Sequence, residues 1–207
     1  DGSNSHLRNI SSIKYFRHNF KHLALTGHLI MKSDKKNTAR QAFLKEGPIG
    51  LLPVEYNNNL INFVWSIKET FANSFTDNNI IKSYLIKRLN ELYSKFDIRF
   101  TDLNKNHSKY QLDIYKWPLQ LVHVPKPFAQ RLALIGDAAH SVHPLAGQGF
   151  NLSLEDCFDM LEILKDSHKK GKDFGDLDNL LKYNKKRDIR TKLIILSTSS
   201  IFYSFTK

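Results

Sequence analysis

Between Arg131 and Glu155 the chain reads RLALIGDAAHSVHPLAGQGFNLSLE, an apolar run broken at Gly136 and a glycine-punctuated loop that leads into a helix. No other stretch limits the fold as much. Leu132, Ala133, Leu134 and Ile135 have the unbroken apolarity of a strand covered on both faces, which predicts a place in a parallel sheet. Gly136 ends the run. Asp137 then stands at the strand's C-terminal end, the edge at which open α/β sheets take ligands, and a carboxylate there can accept hydrogen bonds from a sugar-like hydroxyl. Gly147 and Gly149 flank Gln148 and remove side chains where a flat ligand can touch the backbone. Phe150, Leu152, Leu154, Cys157, Phe158, Leu161 and Leu164 then mark a helix whose first turn leaves N–H donors pointing back at the loop.

The bulk composition is that of an ordinary globular protein. The 207 residues allow one domain or two small ones, with 41% hydrophobic and 25% charged residues. A single cysteine, Cys157, makes no internal disulfide, so a reducing compartment is expected. No apolar run reaches the roughly 20 residues of a membrane span. Lys and Arg outnumber Asp and Glu by 31 to 20, giving +11. Such a charge favours a solvated basic surface first and an anionic membrane surface second. Nucleic acid is not expected as a partner, because no aromatic-basic motif accompanies the charge.

The rest of the chain sorts into a mixed α/β (α+β) pattern. DGSNSHLR, residues 1–8, has turn chemistry that normally follows a strand, so a preceding segment is expected; an Asp-Gly turn with an N-capping Ser explains the same residues. His22 to Ser33 predicts a strand with an irregularity at Gly27. Asn37 to Leu44 reads as a short helical or extended excursion, and Ile49 to Pro53 as a strand limited by proline. Asn57, Asn58 and Asn59 predict a hairpin-like turn before the clearest alternating strand, Leu60 to Ser66. Lys68 to Ser94 is helical, with Asp77 as an N-cap between two helices. Phe96 to Phe100 and Tyr110 to Trp117 return to strand-like alternation, with Pro118, Pro125 and Pro127 marking the crossing back. After the central helix, Ser167 to Gly175 forms a loop and a last helix starts near Asp176. That helix stays apolar to its end without a C-cap, so a following segment is expected.

Three ordered motifs resemble those of the single-component flavoprotein monooxygenases. Gly136-Asp137-Ala138-Ala139-His140, then Pro144, Gly147, Gly149, Asn151 and Asp156, look like that family's second FAD fingerprint. Asp1-Gly2-Ser3-Asn4-Ser5-His6-Leu7-Arg8 is similar to its DGxxSxxR motif. Ala39 to Val54, ARQAFLKEGPIGLLPV, resembles the substrate-domain signature of the ubiquinone-biosynthesis hydroxylases, and Tyr183 with Arg187 match a Y…R signature. Three motifs in order are far more specific than a lone GxGxxG.

The resemblance implies a partial FAD/NAD(P)-binding Rossmann-like domain with an inserted substrate-binding domain on a mixed, largely antiparallel sheet. The expected segments are 1–20 (end of an FAD-binding part), 21–125 (substrate sheet), 126–168 (FAD-binding part) and 169–207 (C-terminal helix). It implies that Asp1, Gly2 and Arg8 lie toward the flavin pyrophosphate and the nicotinamide route. Gly136 and Asp137 would meet the ribityl chain, and Pro144 the isoalloxazine ring. Gly147, Gln148, Gly149, Phe150 and Asn151 would bring backbone N–H groups to the pyrimidine end, where reduced flavin gathers negative charge. No side-chain nucleophile is required, since positioning and water exclusion are the protein's part. FAD and NAD(P)H are the implied cofactors, with dioxygen and a polyprenylated phenol or quinol as substrates. Other ubiquinone-biosynthesis proteins are implied as partners. The implied location is cytoplasmic and peripheral to an inner membrane, on the mitochondrial matrix side in a eukaryote.

Arg40, Gln41 and Trp65 are the candidate substrate residues, although core packing is the commoner fate of an alternating Phe63-Trp65 stripe. Two departures stand out: Ser153 where the family has Gly, which bears on close helix packing, and bulky Phe150 within GxGxN. No GxGxxG occurs, so the nucleotide half of the flavin site is not in this sequence. That leaves a second reading, a catalytically incomplete remnant or lipid-binding assembly module of the same fold. His140 and His143 near Asp137 lack the HExxH setting of a metal site, so no metal is expected. Ser141 lacks a G-x-S-x-G elbow, which argues against a hydrolase.

Overall fold

The computed structural model describes residues 1–34, 37–54, 59–103, 113–144 and 147–205. The chain forms two compact units, Lys21–Leu119, and Asp1–Phe20 with Gln120–Lys207. The boundaries fall inside two strands, β1 (Phe16–Lys32) and β6 (Tyr115–His123).

The 21–119 unit is built on antiparallel pairs in the order β2 (Arg40–Leu44), β3 (Gly47–Pro53), β4 (Leu60–Lys68) and β1. A short β5 (Arg99–Thr101) also pairs with β1. Alternation in β4 sends Ile61, Phe63, Trp65 and Ile67 to one face, all buried. In register with Trp65 stand Ile49 and Leu25, so three fully buried side chains cross the sheet side by side. Ile81, Leu85 and Leu89 of α3 (Asn78–Leu92) and Ala72 of α2 (Glu69–Asn73) close this layer. Each buried Leu, Ile or Phe of this layer contributes roughly 1.5–3 kcal/mol, and Ala72 less.

Asp77 caps α3 as its sequence predicts, its carboxylate accepting from the Asn79 N–H at 2.9 Å. Residues 40–44, left open between helix and strand, are extended. Gly27 is not an irregularity: the β1–β4 register runs through it unbroken. Its lack of a side chain answers to Phe63 instead, whose ring carbon would lie 3.0 Å from a Cβ there. The strand expected from Tyr110 spans Tyr115–His123 and passes through Pro118; Tyr110 to Leu112, like the turn residues Asn57 and Asn58, lie outside the described residues.

The other unit carries two long helices, α4 (Gln148–Lys169) and α5 (Leu177–Phe205). Leu180, Tyr183, Arg187, Thr191, Ile194, Thr198 and Phe202 recur at three- and four-residue steps and form the buried face of α5. The parallel strand expected at Leu132–Ile135 is absent. Instead β8 (Leu132–Ala133) folds back antiparallel on β7 (Phe128–Ala129), and the Leu134 N–H donates to the Pro127 carbonyl at 2.8 Å. An antiparallel neighbour needs only a tight turn, whereas a parallel one needs a crossover of a dozen or more residues. A short β9 (His140–Ser141) pairs antiparallel with the end of β6.

Candidate functional site

The loop between β8 and α4 is shaped by one buried carboxylate. Gly136 has φ 58°, and a Cβ there would come within 3.0 Å of the Ser153 hydroxyl, so glycine alone fits without strain. Asp156, one turn further along α4 than Ser153 and fully buried, accepts from the Gly136 N–H at 2.7 Å, His140 Nε2 at 2.6 Å and Arg187 Nε at 2.7 Å. Burial opposes its charge, but the His140 hydrogen bond, the Gly136 N–H and the neighbouring cations hold its carboxyl below the usual carboxylate range. Burial likewise works against the Arg187 charge. Its bonds to Glu155, Asp156 and Asp159 outweigh that and raise its pKa. Tyr183 donates to the Leu134 carbonyl at 3.2 Å, and burial first, then the Asp156 charge, pushes its phenol up. The loop therefore rests on a satisfied polar network, which fixes its conformation.

The first motif joins this network through Arg8. Ser5 is the N-cap of α1 (His6–Ile10), as the turn reading of these residues expects, its hydroxyl accepting from the Arg8 N–H at 3.1 Å; Asp1 accepts from Ser5 Oγ and from the His6 and Leu7 N–H groups, and Gly2 turns the chain at φ 70°. Arg8, with no exposed surface, donates to the Ala138 carbonyl at 2.8 Å and the Ser3 carbonyl at 2.7 Å, and lies 4.2 Å from the Tyr15 ring centroid. Two motifs far apart in sequence are thus clamped by one guanidinium.

Beside the loop lies a cleft of about 510 Å³, lined by Asp137, Ser141, Val142, Pro144, Gly147, Gly149, Phe150 and Ser153. Asp137 is exposed, with Gln148 partly buried and Asn151 exposed in the first turn of α4. Gly147 takes the N-cap position at φ 61° and offers no side-chain cap, which leaves the first N–H groups of a 22-residue helix to whatever occupies the cleft. Ser153 fits in place of a glycine because Gly136 leaves room, and its hydroxyl turns back to the Gly149 carbonyl at 2.9 Å. These features suit a flat group with hydroxyls on one side and a developing negative edge: uncapped N–H donors, a carboxylate at the rim, and walls thinned by glycine.

The sequence-derived substrate residues are scattered. Trp65 is fully buried in the sheet core, 6.4 Å from the Tyr84 ring, the packing role already the commoner for such a stripe. Arg40 donates to the Thr38 carbonyl at 2.9 Å, and Gln41 is exposed on the same edge strand. Asp156, Tyr183 and Arg187 were matched as motif letters only, although they hold the loop. Their signal was the motif itself; the partners that bind them in the loop network lie 16 to 49 residues away.

A match to the FAD binding domain family runs over residues 30–196. The chain belongs to that family. It is 28% identical to the ubiquinone biosynthesis monooxygenase COQ6, mitochondrial, of Rattus norvegicus, over 96% of this chain and 46% of that one. With the Drosophila melanogaster protein of the same name it shares 30%, over 90% and 43%. The chain spans about half the length of the curated relatives it matches. Among solved structures, PqsL, a probable FAD-dependent monooxygenase from Pseudomonas aeruginosa, superposes with a TM-score of 0.71 at 19% identity, over 99% of this chain and 54% of that one. Klebsiella pneumoniae HpxO, solved with FAD and uric acid, gives 0.64 at 17%, over 96% and 48%. These structures establish the fold, a mixed α/β architecture with an antiparallel sheet. No described helix is long and apolar enough to cross a membrane.

Proposed function

We propose that this chain forms the ring side of the flavin site and the sheet layer of an FAD-dependent, NAD(P)H-using monooxygenase. The reaction is hydroxylation of the aromatic ring of a polyprenylated phenol in ubiquinone biosynthesis. What carries the reading is the cleft, where Asp137, Pro144, Gly147, Gly149 and Phe150 converge beside an uncapped helix start. Asp137 would accept from a ribityl hydroxyl, Pro144 and Phe150 would wall the ring, and the N–H groups of Gln148, Gly149 and Phe150 would face its polar edge. The chemistry that bound FAD supplies is electron transfer from NAD(P)H to dioxygen, with one oxygen atom passed to the substrate ring. Arg8 and Asp156 hold the two loops still; Asn151 extends the polar rim. The basic surface and lipid-tailed substrate fit peripheral contact with the matrix face of an inner membrane.

The test is FAD titration of the reconstituted protein followed by flavin fluorescence. Asp137→Ala is expected to weaken binding about tenfold, the loss of one charge-assisted hydrogen bond. Unchanged affinity removes that assignment. Quinone analysis of a strain lacking the gene is expected to show a polyprenyl phenol short of one hydroxyl; a normal quinone profile rejects the pathway.

A further inference from the structure

His123 and His140 stand directly opposite each other in the antiparallel pairing of β6 with β9. Directly opposed residues of such a pair place their side chains on the same face, with Cβ atoms roughly 4.5–5.5 Å apart. Both imidazoles border a small cavity of about 10 Å³, together with Tyr183, Asn184, Arg187 and Thr191 of α5. His140 is buried, and the Nδ1 atoms of both rings lie out of solvent with no hydrogen-bond partner among the described residues. A ring nitrogen buried in that way is costly unless something meets it.

The hydrogen on His140 can be placed. Its Nε2 lies 2.6 Å from Asp156 Oδ2, and the Asp156 carboxyl is held below the usual carboxylate range, so at neutral pH the carboxylate only accepts and Nε2 carries the hydrogen. In the neutral ring Nδ1 is then a bare acceptor that needs a donor. The strongest donors at the cavity are committed elsewhere: Tyr183 donates to the Leu134 carbonyl, and Arg187 to Leu152, Glu155, Asp156 and Asp159. Asn184 and Thr191 border the cavity without bonding either ring nitrogen. One water needs roughly 10–15 Å³ and two to four polar partners, which this cavity matches. A metal ion does not fit, because no group of three His, Cys, Asp or Glu able to hold one forms among the described residues.

We propose that this cavity holds one water molecule that donates to His140 Nδ1 and is held by His123 Nδ1, which makes His123 a positioning residue for the glycine loop. The path runs from His123 through the water to His140, from His140 Nε2 to Asp156, and from Asp156 to the Gly136 N–H. Fixing the Nδ1 side fixes the tautomer, and the tautomer decides whether His140 can donate to Asp156 at all. Only the consequence for cofactor binding rests on the flavin reading given above.

Nitrogen NMR of the full 207-residue chain tests this. Long-range proton–nitrogen correlations are expected to show His140 neutral, with its hydrogen on Nε2 and Nδ1 at the frequency of a hydrogen-bonded acceptor. The His140 ring is expected to cross-relax with a bound water. His123→Phe keeps a ring and removes the nitrogen. It should move His140 Nδ1 to the frequency of a bare acceptor and raise amide exchange at Gly136 to His140 about tenfold, the loss of one net hydrogen bond. His123→Asn keeps a polar atom near the Nδ1 position and should leave both readouts as in the unsubstituted chain; a role in packing alone would move neither the Nδ1 frequency nor its rescue. A hydrogen on His140 Nδ1, no bound water at the ring, an unchanged Nδ1 frequency in His123→Phe, or His123→Asn behaving like His123→Phe would each overturn the proposal. Should His123→Phe fail to fold, the tautomer, the water contact and His123→Asn decide. FAD titration is read separately: a chain with these signatures that takes up no FAD sinks the flavin reading alone, and one that takes up FAD without them sinks this proposal alone.

Discussion

Trp65 and Asp156 are both fully buried, one in the sheet core of the 21–119 unit and the other beneath the glycine loop. Around Trp65 stand Leu25 and Ile49 in register across the sheet and the rings of Phe71 and Tyr84, a mostly apolar surround whose attraction has little direction. Around Asp156 every contact is directional: an N–H, an imidazole and a guanidinium converge on two oxygens. The first arrangement supplies stability and tolerates small shifts. The second supplies position, because a hydrogen bond weakens steeply when its angle or length changes. A loop that must present backbone N–H groups to a ligand gains more from the second kind.

Substitutions can separate the two. Trp65→Ala is expected to have the largest effect, about 3–5 kcal/mol of unfolding free energy from lost burial and the cavity left behind. Hydrogen exchange should rise mainly in peptides of the 21–119 unit; a uniform rise across both units would show that the core supports the loop as well. Asp156→Asn follows at about 1–3 kcal/mol, since a neutral amide replaces the fully buried carboxylate that Gly136, His140 and Arg187 share, while Glu155 and Asp159 still hold the Arg187 charge. Exchange at Gly136 to His140 should then rise while the sheet core stays protected. Because the folded pKa of Asp156 is lowered, its contribution is fully present above about pH 4 and is lost as pH falls through the folded value. Asp156→Asn should therefore flatten the acid limb of a stability–pH curve, and an unchanged limb would assign that limb to other carboxylates. Gly136→Ala is the smallest, about 1–2 kcal/mol for a side chain at positive φ. Combining it with Ser153→Gly should restore only the part due to the clash; full restoration would mean that φ costs nothing here.

The local elements were largely legible in the sequence. Alternation identified β4, and Asp77 before an apolar three- and four-residue pattern marked the start of α3. The glycines and the helix after them located the loop. What failed at this level was the assignment of causes. Gly27 looked like a strand defect, yet it makes room for a ring on the neighbouring strand. Leu132 to Ile135 looked like a parallel strand covered on both faces, yet the run pairs antiparallel and Ile135 is exposed, so unbroken apolarity settled neither the partner's direction nor full burial.

Propensity, periodicity and capping act over a few residues, so sequence alone determined the helices, the main strands and the glycine loop with its family motifs. Tertiary structure alone decided that Arg8 reaches the Ala138 carbonyl, 130 residues away. It also set Asp156 beneath Gly136, sent Trp65 into the core, and left Phe150, Leu154, Phe158 and Leu161 of α4 exposed among the described residues. Those outcomes depend on which distant groups meet once the chain is compact, and a buried charge or an exposed apolar side chain acquires its meaning only from that meeting.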